Sequence, residues 1–227
     1  MSQTRQEAGT RAVRLGAIGG IVGPALFVVL VIIGGVLYNG YSHSGQKISE
    51  LGGEGARYAL LQNINFIVLG VLVIGFAWAL GRVLGRPYGG AISIAIFGAS
   101  SAIANGLLPC DTGCRGETTI GLFHNITGLT GFTAAIVGMF LLARRWGDSP
   151  YWKSHSRFTR TAALFAIAGL VAFVAGESTG VAPAFSGVTQ RFFVGTLLLW
   201  LAATAVHLIN VIPRSRQMAY AKPSSKE

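Results

Sequence analysis

Apolar positions in this chain fall in long unbroken runs. Six stand out: residues 15–38, 58–80, 91–108, 120–143, a short one at 161–175, and 192–212. None alternates with the period of two that a membrane barrel strand needs. In hydrocarbon the backbone must satisfy its own hydrogen bonds, so each run predicts a helix. A bilayer core about 30 Å thick takes about 20 helical residues. The fifth run is the weak one, because its 15 residues cover only about 22 Å at 1.5 Å per residue. It reaches full length only by taking in Arg160 at one end or Gly176 and Glu177 at the other, which places Glu177 in the outer part of the membrane. The first run is too long for the roughly 7–15-residue core of a cleaved secretory signal and reads as a retained span. The pattern predicts an all-α fold with one domain, a six-transmembrane-helix bundle over residues 15–212. Polar tails at 1–14 and 213–227 flank it.

Composition agrees. Of 227 residues, 52% are apolar and 11% are charged, against about 25% charged in a soluble domain. That excludes an ordinary soluble protein, and disorder would need low apolar content. A net charge of +10 would suggest nucleic acid in a soluble chain, but the placement of the charges argues otherwise. With six spans, both termini and the 81–90 and 144–160 loops share one side. That side carries 14 of the 18 basic residues, leaving Lys47, Arg57, Arg115 and Arg191 on the other. Basic residues in short loops stay cytoplasmic. The split therefore predicts a multi-pass protein of the cytoplasmic (plasma) membrane, with cytoplasmic N- and C-termini and a cysteine-bearing loop facing out. Its first partner is the lipid bilayer, and nucleic acid is excluded. Trp146, Tyr151 and Trp152 suit an interfacial aromatic belt.

A faint internal echo points to three repeated helical hairpins. Leu61-Gln62-Asn63-Ile64-Asn65 opens the second span and Phe123-His124-Asn125-Ile126-Thr127 the fourth, with Gln190-Arg191-Phe192-Phe193 opening the sixth. Gly16-x-x-x-Gly20 and Gly19-x-x-x-Gly23 are small-residue faces for close helix packing, and they leave the oligomeric state open.

Cys110 and Cys114 are the only cysteines. On an oxidising face such a close pair reads as a disulfide that holds Asp111 in place, with metal ligation and free thiols as the alternatives. Ionisable groups near the membrane are costly and often functional. The candidates are Glu50, Gln62, Asn63, Asp111, Glu117, His124, Glu177 and Arg191. If the even-numbered helices share an axis, Gln62, His124 and Arg191 converge under the outer surface, with Glu50 and Asp111 above them. Two readings stay open. One is a structural clasp in which Glu50 or Asp111 pairs with Arg191. The other is a pocket for a lipid or isoprenoid-like small molecule, worked by acid–base chemistry. In it Asp111 or Glu50 is the acid or base, His124 the proton partner and Arg191 the anion holder, while Gln62, Asn63 and Glu177 bind. A small proton- or ion-coupled transporter is a further alternative, with 176–183 as the place for a broken helix. His43 and His155 read as loop residues. The chain has no Walker-type loop, GxSxG, HExxH or facing haem-spaced His pair, so no cofactor and no metal is expected.

Ser49-Glu50-Leu51-Gly52, Pro109-Cys110-Asp111-x-x-Cys114, His124 and Gln190-Arg191 together resemble the domain-of-unknown-function 998 family of small bacterial and archaeal membrane proteins. The resemblance spans roughly residues 15–212. It implies a six-helix membrane bundle and places Glu50, Asp111, His124 and Arg191 in one pattern, with no role for any of them.

Overall fold

A computed structural model describes residues 3–179 and 185–220, with side chains described for 7–177 and 185–212. Six helices follow one another: α1 Gln3–Leu37, α2 Ala59–Leu84, α3 Gly89–Leu107, α4 Thr119–Trp146, α5 Lys153–Thr179 and α6 Ser186–Tyr220. Each is long and apolar enough to cross a membrane, and no strand occurs among the described residues. The weak fifth run is completed from both ends, from Lys153 through Glu177. His155, which reads as a loop residue in the sequence, lies on α5, because the helix starts well before the apolar run does. Helix also covers much of the two segments that read as tails, from Gln3 at one end and to Tyr220 at the other. The proposed break at 176–183 falls partly outside the described residues.

The helices close into a ring. Each packs on its sequence neighbour, and α6 returns to pack on α1. Phe76, Leu80, Ile94, Met139, Phe193, Leu197 and Leu201 are buried inside it. The outside is apolar too: Val36 is 75% exposed and Leu199 73%. A soluble protein would not leave so continuous an apolar surface in water. A helix bundle apolar within and without belongs in lipid. The chain is a multi-pass membrane protein.

One helix departs from regularity. Residues Gly98–Ala104 of α3 form a π-helical stretch, a wide turn that rotates the later residues of the helix relative to the earlier ones. Ser100 Oγ donates to the Thr127 carbonyl of α4 at 2.7 Å, and Ser101 Oγ to the Phe97 carbonyl at 3.1 Å. Gly131 of α4 lies so close that a β-carbon there would meet Ser101 Oγ at 2.5 Å. This close approach sets Asn105, just after the wide turn, against α4.

The end of the bundle away from the cysteines is held by rings and a brace. Trp146 stacks on Trp152 at 4.5 Å, and His155 on His207 at 4.6 Å. Arg145 of α4 donates to the carbonyls of Leu84, Gly85 and Pro87, where α2 ends. Such a cation satisfies carbonyls that the helix itself leaves without donors.

Candidate ligand pocket

At the cysteine end, the loop between α1 and α2 folds over the ring. Its backbone is held from two directions. Locally, Tyr41 Oη donates to the Lys47 carbonyl at 2.9 Å, and Glu50 Oε1 accepts the Lys47 amide at 2.8 Å. From α6, Gln190 Oε1 accepts the Ile48 amide at 2.5 Å, and Arg191 Nη1 donates to the Gln46 carbonyl at 2.7 Å. With its backbone so fixed, the Lys47 side chain turns inward and is only 9% exposed. Its ammonium pairs with Glu177 at the end of α5 and lies 3.4 Å from the Cys114 carbonyl. The second Glu177 oxygen accepts from Ser186 Oγ at 2.5 Å.

The loop before α4 is organised around Asp111. Cys110 and Cys114 are disulfide-bonded, with Cα atoms 4.9 Å apart. The short ring presents the buried Asp111 to the start of α4. There its Oδ1 accepts from the Gly116 amide at 3.1 Å and its Oδ2 from the Thr118 amide at 2.9 Å. Thr118 Oγ1 in turn accepts from the Gly121 amide at 3.0 Å, capping the helix. Burial pushes the Asp111 carboxyl upward, but donation by the amides of Thr118 and Gly116, and of Glu117 and Arg115, outweighs it. The group sits below the usual carboxylate range. Glu54 of the first loop donates its amide to the Cys110 carbonyl at 2.9 Å, so the two loops are tied together.

Beneath these loops lies a cavity of about 390 Å³. One side of its lining is polar, built from Lys47, Ser49, Asn105, His124, Glu177 and Gln190, and the other is apolar, built from Leu129, Phe132, Leu170 and Phe173. All the polar residues but Glu177 are buried, whereas Leu129 is 50% exposed. A smaller void of about 30 Å³ on the ring axis shares Ser49, Asn105, Phe132 and Gln190 with it. His124 Nδ1 lies 2.6 Å from the Leu108 carbonyl. A carbonyl only accepts, so Nδ1 carries a proton, and in the neutral ring Nε2 is then the acceptor. Asn105 Oδ1 takes the Thr127 hydroxyl at 2.6 Å, which leaves its amide nitrogen to donate. Gln190 has its oxygen on Ile48 and likewise keeps its nitrogen. The polar side therefore combines the amide donors of Asn105 and Gln190 and the Lys47–Glu177 ion pair with the His124 imidazole.

The structure brings some of the sequence candidates together and separates others. His124 and Glu177 line the cavity. Asp111 and Glu50 stand behind it, their oxygens taken by amides. Arg191 reaches a different groove, between α1 and α6. Gln62 is buried on α2, its Oε1 3.4 Å from Asn65 Nδ2, which also donates to the Phe27 carbonyl at 3.1 Å. Gln62 Nε2 and Asn65 Oδ1 have no partner in this buried pair. Asn63 packs under Gly52. Glu117 pairs on the surface with Arg115 at 3.6 Å. The only ion pairs among the described residues are this one and Lys47–Glu177, so the clasp that joins distant segments uses Lys47 in place of Arg191. Four polar cavity residues have no site role in the sequence analysis: Lys47, Ser49, Asn105 and Gln190. Lys47 is one of four basic residues on its side, and Asn105 interrupts an apolar run; both were visible as departures from pattern.

The family model described as protein of unknown function (DUF998) matches residues 21–207. The chain belongs to this family. The match takes in α2 to α5, the parts of α1 and α6 within those bounds, and both loops that roof the cavity. No curated protein and no solved structure matches the chain.

Proposed function

We propose that this DUF998 member binds an amphiphile, a lipid or isoprenoid-like molecule, in the cavity beneath the disulfide loop. The observation that carries the proposal is the mixed lining of that one cavity. Buried Lys47, Asn105, His124 and Gln190 form its polar side, and Leu129, Phe132, Leu170 and Phe173 its apolar side. Apolar walls with a few converging polar groups are the usual form of a small-molecule site. The free amide donors of Asn105 and Gln190 suit a head that carries acceptors, such as a carbonyl or ester. The charge split along the sequence favours a cavity on the outward side of a cytoplasmic membrane.

Acid–base chemistry is the second half of the proposal. His124 is the group placed to take a proton, through Nε2, from a ligand hydroxyl. Lys47 would steady the resulting oxyanion, with Glu177 as its counter-ion. Asp111 and Glu50 act here as positioning residues, one on the start of α4 and the other on the Lys47 backbone. The test is to purify the protein in mild detergent and identify co-purifying lipids by mass spectrometry. A defined species held by the wild type and lost from a folded His124→Asn variant supports the reading. An identical lipid complement in both contradicts it.

A further inference from the structure

A second cavity, of about 430 Å³, opens between α1 and α6, away from His124. Its walls are apolar, with Phe27, Val31, Val194 and Leu198 along its length, and Arg191 and His43 at its head. Arg191 is half-buried there. Nη1 donates to the carbonyls of Gln46 at 2.7 Å and Gly187 at 3.1 Å. Nη2 donates to Tyr41 Oη at 2.5 Å and to His43 Nδ1 at 3.1 Å. All four acceptors are neutral. Among the described residues Arg191 forms no ion pair, and its Nε–H has no partner there. Its guanidinium also lies 5.6 Å from the Tyr41 ring centre, which fixes its plane. Burial pushes the Tyr41 hydroxyl upward against the pull of Arg191, so it stays neutral. Burial first, and Arg191 second, hold His43 below the usual imidazole range, so it is neutral too.

Glu50 is the nearby carboxylate that acts on Tyr41, but Arg191 has no salt-bridge partner among the described residues, and a partly desolvated cation at the head of an apolar groove can take an anionic one. From this geometry we infer that the groove binds an anionic phospholipid of the surrounding bilayer. The phosphodiester lies against Arg191, and one acyl chain runs down between α1 and α6. A phosphate is the complement in charge and can accept the one remaining N–H, on Nε, and the groove below it admits a chain. This site is independent of the His124 cavity and does not rest on its function.

The groove offers a clean variant. Gly195 lines it, and a β-carbon built there would meet nothing within 4 Å, so Gly195→Leu fills the groove without a clash. The experiment is native mass spectrometry after exchange into mixed micelles of phosphatidylglycerol and phosphatidylcholine with identical acyl chains. The wild type is expected to retain phosphatidylglycerol at least about fivefold over phosphatidylcholine, a preference worth about 1 kcal/mol. Arg191→Gln removes that preference, Arg191→Lys restores part of it, and Gly195→Leu lowers retention of both lipids. Equal retention of the two by the wild type overturns the inference. So does full retention by Gly195→Leu. Thermal protection by inorganic phosphate equal to that by phosphatidylglycerol would reduce the site to a bare anion site and also overturn it. So would a lipid-free dimer closed over the groove.

Discussion

Lys47 and Glu177, 130 residues apart in sequence, form an ion pair in the lining of the His124 cavity. The two sides of that pair are not equally exposed: Lys47 is 9% exposed and Glu177 32%. Removing either leaves the other unpaired, and the cost depends on how well water reaches the partner left behind.

Glu177→Ala is therefore expected to destabilise more than Lys47→Met. The first strands a buried ammonium, while the second leaves a carboxylate that water can hydrate. We expect about 2–3 kcal/mol for Glu177→Ala, below the usual 3–5 because of its partial exposure. The double variant should be more stable than Glu177→Ala alone, since the stranded charge is gone. Thermal unfolding of the four proteins in one detergent checks the order, and a Lys47→Met loss equal to or greater than the Glu177→Ala loss would refute it.

Asp111 makes a pH-dependent contribution. Its folded-state pKa lies below the ordinary carboxylate value. Its stabilisation is thus fully present above the unfolded value of about 3.9 and is lost as pH falls through the depressed folded value. Asp111→Asn should cost about 1–3 kcal/mol at neutral pH, from amides that lose a charged acceptor. Its stability should then fall less steeply than the wild type's in the acid range. Parallel acid limbs in the two proteins would show that Asp111 does not carry this role.

His124→Asn separates fold from binding. The Asn amide can still donate to the Leu108 carbonyl, which His124 Nδ1 now does at 2.6 Å, but nothing replaces Nε2. We expect a melting temperature within a few degrees of wild type and ligand affinity lower by about tenfold, the worth of one hydrogen bond. Isothermal titration with a lipid identified in the wild type, alongside a thermal melt, reads both. Unchanged affinity removes His124 from the site.

Gly131→Ala tests the contact that seats Asn105. The added methyl would meet Ser101 Oγ at 2.5 Å and the Ser101 amide nitrogen at 2.6 Å. Overpacking of this kind costs about 1–3 kcal/mol, and here it also shifts α3 and Asn105 away from α4. A loss of both stability and ligand retention is expected, and a neutral substitution would mean that the two helices have slack there.

The helices were legible in the sequence because span length and backbone satisfaction leave little choice in hydrocarbon. Their ends were less so. Helix α5 runs on through Lys153–Arg160, where charges at the membrane surface break the apolar run but not the backbone hydrogen bonds. The disulfide pair was legible from spacing and His124 from its rarity. The grouping of the polar residues was not. Gln62, His124 and Arg191 occupy similar places on their helices yet face different neighbours, because a helix's rotation about its axis depends on packing. Lys47 could be counted but not placed. Its inward turn comes from Gln190 and Arg191 gripping the backbone on either side of it, contacts more than 140 residues away in sequence.

Binding of a defined amphiphile in the His124 cavity is tested most directly by photo-crosslinking in membranes. A photoreactive amino acid at Leu170, in the cavity wall, is compared with one at Leu164, which is 60% exposed on the same helix. Position 164 should give a mixture of bulk-lipid adducts. Position 170 should give one dominant adduct mass, lost when His124→Asn is added. The same bulk mixture from both positions, or no lipid adduct at 170, would contradict the account.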